Sequence, residues 1–250
     1  MAEEKKAASS HVLKERPPQL VQMPHWGSFH TPRGYDYLRV KRGQTAGYWV
    51  CRFFLDIAAF LATRIFLGLK IRGRRNLRKL RGGFVSIANH VQDIDCGMVL
   101  QALWGHRVYF VSIEENFALA GVGHILRWAG AVPFPEKLEL LAEHVKAMEE
   151  ALRGGSVVHV YPEGVLAPYH KGVGPFGSGA FHLAATCQVP VVPLAIRQRG
   201  RRGLWRILKR RPCFTLEILP PLYPDGSLGK HEAAEDLLER SWQAMDAALA

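Results

Sequence analysis

"GFVSIANHVQDIDCGMVL", residues 83–100, changes character at its midpoint. Residues 83–88 form a short apolar run after a glycine pair, which reads as a buried strand. A helix is expected from about Cys96 to Leu103. Between the two lie Asn89, His90, Asp93 and Asp95, a polar loop at a strand's carboxyl end. The same alternation continues downstream. Strands are expected at 107–113, 156–164, 189–198 and 213–222, the last an outer one. Helices are expected at 117–130, 136–155, 178–188 and 230–249. Short strands separated by helices give an α/β fold: a largely parallel sheet flanked by helices, with functional residues beyond the strand carboxyl ends.

Hydrophobic residues make up 48% of the 250, enough for a sizeable core, and 22% are charged, too few for global disorder. The net charge of +11 suits an anionic partner. Cys51, Cys96, Cys187 and Cys213 are too far apart for a zinc or redox motif and read as reduced thiols. Residues 1–46 are expected to be a polar tail and an irregular arm. The opening "MAEEKKAASS" lacks the apolar segment of a secretory signal. Within the arm, "PHWGSFHTPRGYDY" (24–37) sets two histidines among aromatics, but their spacing fits no known metal motif, and no metal is expected.

Residues 47–81 are expected to be an amphipathic membrane-interface helix followed by a basic turn. "GYWVCRFFLDIAAFLATRIFLGLKI" (47–71) is long enough to span a bilayer, but contains Arg52, Asp56 and Arg64. At about 100° per residue these three share one third of the circumference. Trp49, Phe53, Phe60 and Phe66 lie largely on other faces. Spanning would cost about 2.5–3.5 kcal/mol per buried charge. A helix lying in the interface instead exposes them on its polar side. A buried core helix remains the alternative. The basic run "RGRRNLRKLR" (72–81) would then meet headgroups.

His90 directly follows a strand, and Asp95 stands five residues on, in the first turn of the next helix if that helix begins near Asp93–Ile94. A carboxylate that accepts the Nδ1 proton fixes the tautomer and leaves Nε2 as a base. Alone, the pair also fits a polar loop. "VYPEGV" (160–165) closes another strand in a Pro–Glu–Gly turn and would present Glu163 at the same sheet edge.

Together these stretches resemble the glycerolipid acyltransferases typified by lysophosphatidic acid acyltransferase. "NHVQDID" matches the family's N-H-x4-D motif, "YPEG" its third motif and "VPVVPLAI" its fourth. "PFGSGAFHLA" (175–184) is similar to the segment after the third motif. The resemblance covers about residues 82–200, within an acyltransferase domain expected over 82–250. It implies transfer of a fatty acyl group from acyl-CoA or acyl carrier protein to a hydroxyl of a lipid acceptor. It further implies no cofactor, and a peripheral or monotopic place on the cytoplasmic face of a membrane, with an anionic lipid surface as partner. By the resemblance His90 is the general base and Asp95 its orienting acid. Asn89, Pro162, Glu163, Gly164, Lys137 and Lys171 are the expected substrate-binding residues.

Four departures remove positive charge. Val165, Leu166 and Ala167 stand where the family continues Thr-Arg-Ser, and Pro135 and Glu136 where it has Asp-Arg, with Lys137 one step late. Gly177 stands for a lysine, and Ile113 and Glu114 for lysines. A phosphate dianion needs such partners. The expected acceptor therefore lacks a terminal phosphate, unless Lys137, Arg127, His170 or Lys171 takes over. The loss near 113 leaves backbone N–H groups to stabilise an oxyanion. A basic segment at 197–211, with Trp205 and leucines among its charges, fits lipid better than nucleic acid, which is not an expected partner. The alternatives to acyl transfer are a thioester hydrolase and a non-catalytic membrane-binding homologue.

Overall fold

The computed structural model describes residues 28–118, 121–201, 205–206 and 211–250. The opening tail and part of the 197–211 basic segment lie outside them. Helix α1 (Arg42–Phe66) precedes the short β1 (Lys70–Arg72). There follow β2 (Phe84–Ala88), α2 (Asp95–Ala102), β3 (Val108–Ile113) and α3 (Val122–Trp128). Then come β4 (Ala131–Phe134), α4 (Leu138–Arg153), β5 (Val157–Val160) and α5 (Gly179–Cys187). β6 (Val191–Arg199), β7 (Cys213–Ile218) and α6 (Lys230–Leu249) complete the order. The seven strands stand in the order β1-β7-β6-β2-β5-β3-β4. Every neighbouring pair is parallel except β6 and β7.

Alternating side chains on each strand feed two cores. Val85 and Ile87 pack with Leu152, Phe181 and Leu237 under α4, α5 and α6. Phe84 and Ala88 pack with Met98, Val99 and Leu103 under α2. The arm joins the first core through Tyr37 and Leu38. Its carbonyls are held by Tyr109 Oη and Arg107, which donate to Leu38 O, both at 2.9 Å.

Three expectations change. β7 is not an outer strand, because β1 covers its far side. β4, which the sequence did not announce, lies at the other edge, where a strand tolerates Pro133. The helix at 47–71 is shifted to 42–66. Gln44 Oε1 accepts the Lys41 N–H at its start, and Gly68 turns the chain at φ +55° just past its end.

The largest correction concerns how α1 faces. Arg52 and Asp56, expected in solvent, are 1% and 6% exposed. Arg52 donates to Asp56 Oδ1 (2.9 Å), Tyr48 Oη (3.1 Å), His106 O (3.2 Å) and Leu100 O (3.0 Å). Gln101 of α2 donates to Asp56 O (2.9 Å). A guanidinium with five donors satisfies carbonyls of the last turn of α2 and the loop beyond it, so the charged stripe turns inward. Arg64 alone stays exposed, donating to Leu69 O at 3.0 Å. The apolar side faces out: Trp49, Phe53, Phe60 and Phe66 are between 42% and 68% exposed, joined by Val50, Phe54, Ile57, Leu61 and Ile65.

Candidate active site

β2 ends at Ala88, and the chain leaves the sheet through Asn89 and His90. Asn89 Nδ2 donates to Ile196 O (2.9 Å), and Asn89 Oδ1 accepts from Ile196 N (2.8 Å). Both halves of this buried amide are engaged by β6. Asn89, expected at the substrate, instead pins the strand end and sets the direction of His90.

Asp95 opens α2, where a carboxylate is favoured by the helix N-terminus. Its Oδ2 accepts from Val91 N (2.6 Å), Gln92 N (2.9 Å) and His90 Nδ1 (3.1 Å). Burial raises its pKa above the ordinary carboxylate value, while the His90 bond and charge and the two backbone N–H groups pull it down. The His90 side chain is 25% exposed and, among the described residues, Nε2 has no partner. With Asp95 holding the proton on Nδ1, Nε2 presents a lone pair outward.

The imidazole lies flat on the ring of Tyr161, centroids 4.1 Å apart and planes 17° from parallel. Tyr161 in turn meets His159 edge-on at 4.7 Å. Burial drives the His159 pKa down to about 3, so the ring is neutral, and its Nδ1 is 2.9 Å from Ser86 Oγ. Reading the sequence missed this Tyr161–His159–Ser86 floor. The signal was the i, i+2 placement of His159 and Tyr161, which puts both on the face of β5 that His90 overhangs.

Glu163 is buried and works as a strut. Its Oε1 accepts from Gly174 N (3.0 Å) and its Oε2 from His90 N (3.4 Å). Burial raises its pKa against these donors. Pro162 O accepts from Gly177 N (2.8 Å), and Gly164 makes the turn at φ +69°. The following loop runs back beside the histidine: Ala167 N donates to His90 O (2.9 Å) and Tyr169 N to Val91 O (3.2 Å). That brings exposed His170 and Lys171 toward the site. Leu166 is buried, so the position of the family's arginine holds an apolar side chain. Lys137 does not converge with His90. It follows β4, three strands from β2, or about 14 Å at the usual strand spacing. A concavity of about 280 Å³ between residues 35–40 and α4 touches none of these groups.

Comparison with known proteins places the chain among acyltransferases. The sequence model of the family described as Acyltransferase matches residues 68–197, just over half of the chain. A chloroplastic 1-acyl-sn-glycerol-3-phosphate acyltransferase of Brassica napus is 27% identical over 150 residues, covering 60% of this chain and 43% of its own. The alpha form of the enzyme from Ovis aries is 30% identical over 153 residues, 57% and 50% respectively. The chain thus spans about half the length of these curated relatives. Among solved structures, the PlsC acyltransferase of Thermotoga maritima superposes with a TM-score of 0.58 over 84% of each chain at 21% identity, a likeness of fold.

Proposed function

The chain belongs to the acyltransferase family, and from that premise we propose that it moves a fatty acyl group from acyl-CoA or acyl carrier protein to a hydroxyl of a lipid acceptor. The observation that carries this reading is the His90–Asp95 pair at 3.1 Å, with Nε2 free at a strand's carboxyl end. Nε2 takes the proton of the acceptor hydroxyl as its oxygen attacks the thioester carbonyl carbon. The C–O bond forms, and the carbonyl electron pair moves onto oxygen. Collapse of that tetrahedral species breaks the C–S bond, and the imidazolium returns its proton to the departing sulfur. Asp95 keeps the imidazole in one tautomer and stabilises the transient cation.

The outward apolar side of α1 supports a peripheral place on a lipid surface, with Arg42, Arg64 and Arg72 available to anionic headgroups. No helix among the described residues is long and apolar enough to cross a membrane. α1 packs on α2, where Gly97 faces Ala59 and Thr63, so the lipid-facing side lies next to the helix that carries Asp95. An acceptor could then reach His90 without leaving the interface. Leu166, Glu136 and Glu114, at positions where the family carries positive charge, favour an acceptor without a terminal phosphate.

Labelled acyl-CoA and acyl carrier protein offered against lysophosphatidic acid, other lysophospholipids, monoacylglycerol and hydroxy-acyl amino-acid lipids tests both parts. Transfer to acceptors without a terminal phosphate is expected. Preference for lysophosphatidic acid would overturn the acceptor reading, and thioester hydrolysis alone would overturn the transfer reading.

A further inference from the structure

Outside the His90 site, one group of metal-ligating side chains stands out among the described residues. His30 from the arm, Glu114 from the turn after β3 and Glu136 from the turn after β4 each offer a ligand atom, all within 4.8 Å of one another. From these residues we infer that the protein holds a divalent transition-metal ion between the arm and the carboxyl ends of β3 and β4.

The donor set is chemically coherent. One imidazole nitrogen and two carboxylate oxygens suit zinc or manganese better than calcium, whose sites are built from oxygen alone. Bonds of about 2.0–2.2 Å in a tetrahedral arrangement set ligand atoms about 3.4 Å apart. His30 Nδ1 and Glu114 Oε2 are at 3.5 Å. The exposed Glu136 side chain is free to close the remaining gap by rotation.

Glu114 carries the electrostatic argument. It is 3% exposed and, among the described residues, has no lysine or arginine partner. Its Oε1 accepts the Thr31 N–H at 2.8 Å, which leaves Oε2 directed to the histidine. A buried carboxylate beside a second carboxylate is unfavourable without a cation. A second, independent observation belongs to the same corner. The hydroxyl of Thr31, the residue whose N–H binds Glu114, is buried and, among the described residues, has no hydrogen-bond partner. A buried unpaired hydroxyl is unfavourable, and a water coordinated to the ion would give it a partner.

The arm is fixed well enough to act as a ligand carrier. Phe29, next to His30, packs on Phe117 at 5.5 Å and on Tyr35 at 6.3 Å. Three protein ligands leave coordination positions open. The two glutamates occupy places where resemblance to the family would put positive charge, and a bound ion would restore it. The site lies two to three strands from His90 along the same sheet edge. It does not depend on the acyl-transfer reading.

The test is calorimetric titration of the chelator-stripped full chain with zinc and with manganese, repeated on His30→Ala and Glu136→Gln. Both side chains are exposed, so neither change threatens folding. One ion per chain is expected, with a raised Tm, and binding weakened at least about tenfold in each variant. No saturable binding of either ion, or binding that both variants retain unchanged, overturns the inference.

Discussion

Replacing Arg52 by methionine should unfold the protein far more readily than a change on an exposed amphipathic helix could. The guanidinium makes four hydrogen bonds, to Asp56, Tyr48, and the carbonyls of Leu100 and His106. Methionine fills similar space but leaves the Asp56 carboxylate and two carbonyls buried without that donor. Breaking one side of a buried ion pair costs about 3–5 kcal/mol. For a chain of this size that is a fall in Tm of about 6–20 °C. Urea unfolding followed by circular dichroism would show the midpoint dropping at unchanged slope. The double variant Arg52→Met/Asp56→Leu removes both charges and should recover most of the loss. Arg64→Met, on the outward side, should cost under about 1 kcal/mol. A loss below about 1 kcal/mol for Arg52→Met would refute the inward-facing stripe and return both charges to solvent.

Asp95→Asn ends the burial of a carboxylate, so stability should hold or rise, while transfer falls about 10³–10⁴-fold as the tautomer control is lost; full activity in a folded variant would remove Asp95 from the mechanism. His159 is neutral in the fold with a pKa near 3, against 6.5 when unfolded. Between those values the unfolded chain binds a proton the fold excludes. Stability is therefore complete above about pH 6.5 and falls as pH drops toward 3, with His144, near 4, adding to the slope. His159→Asn should flatten that slope in chemical unfolding at stepped pH, and an unchanged slope would exclude His159 as its source. Phe53→Ser/Phe60→Ser should leave the melting curve intact but weaken co-sedimentation with anionic vesicles at least about tenfold; unaltered binding would move the lipid contact elsewhere.

Much of the site was legible because strand ends announce themselves. The apolar run 84–88 had to be buried, so His90 had to emerge at its carboxyl end, and Asp95 had to fall in the first turn of the next helix. The pairing of β2 with β5 then brought Glu163 to the same edge. What pattern could not supply was which side of a half-polar helix turns inward. In α1 the polar stripe reads as the wet side, yet the carbonyls of Leu100, in the last turn of α2, and His106, in the loop beyond it, make it the better core-facing side. Asn89 and Glu163 raised a related difficulty. Polar residues beside a catalytic histidine suggest substrate contact, but each is fully engaged with backbone groups that composition does not reveal. β4 escaped notice because it is only four residues long and contains Pro133, which reads as a break in a strand until the assembled sheet places it at an edge. The convergence of His30, Glu114 and Glu136 was invisible for the same reason: 84 positions separate the first two and 22 the last two, and only the arm's path over β3 and β4 joins them.

The most direct measurement is the rate of acyl transfer from labelled acyl-CoA or acyl carrier protein to a lipid hydroxyl by the purified chain and by His90→Ala. Nε2 is the only base the mechanism assigns. Transfer by the native chain that falls to background in the variant, with both equally folded, is the predicted result. Equal rates in the two would contradict the assignment of His90.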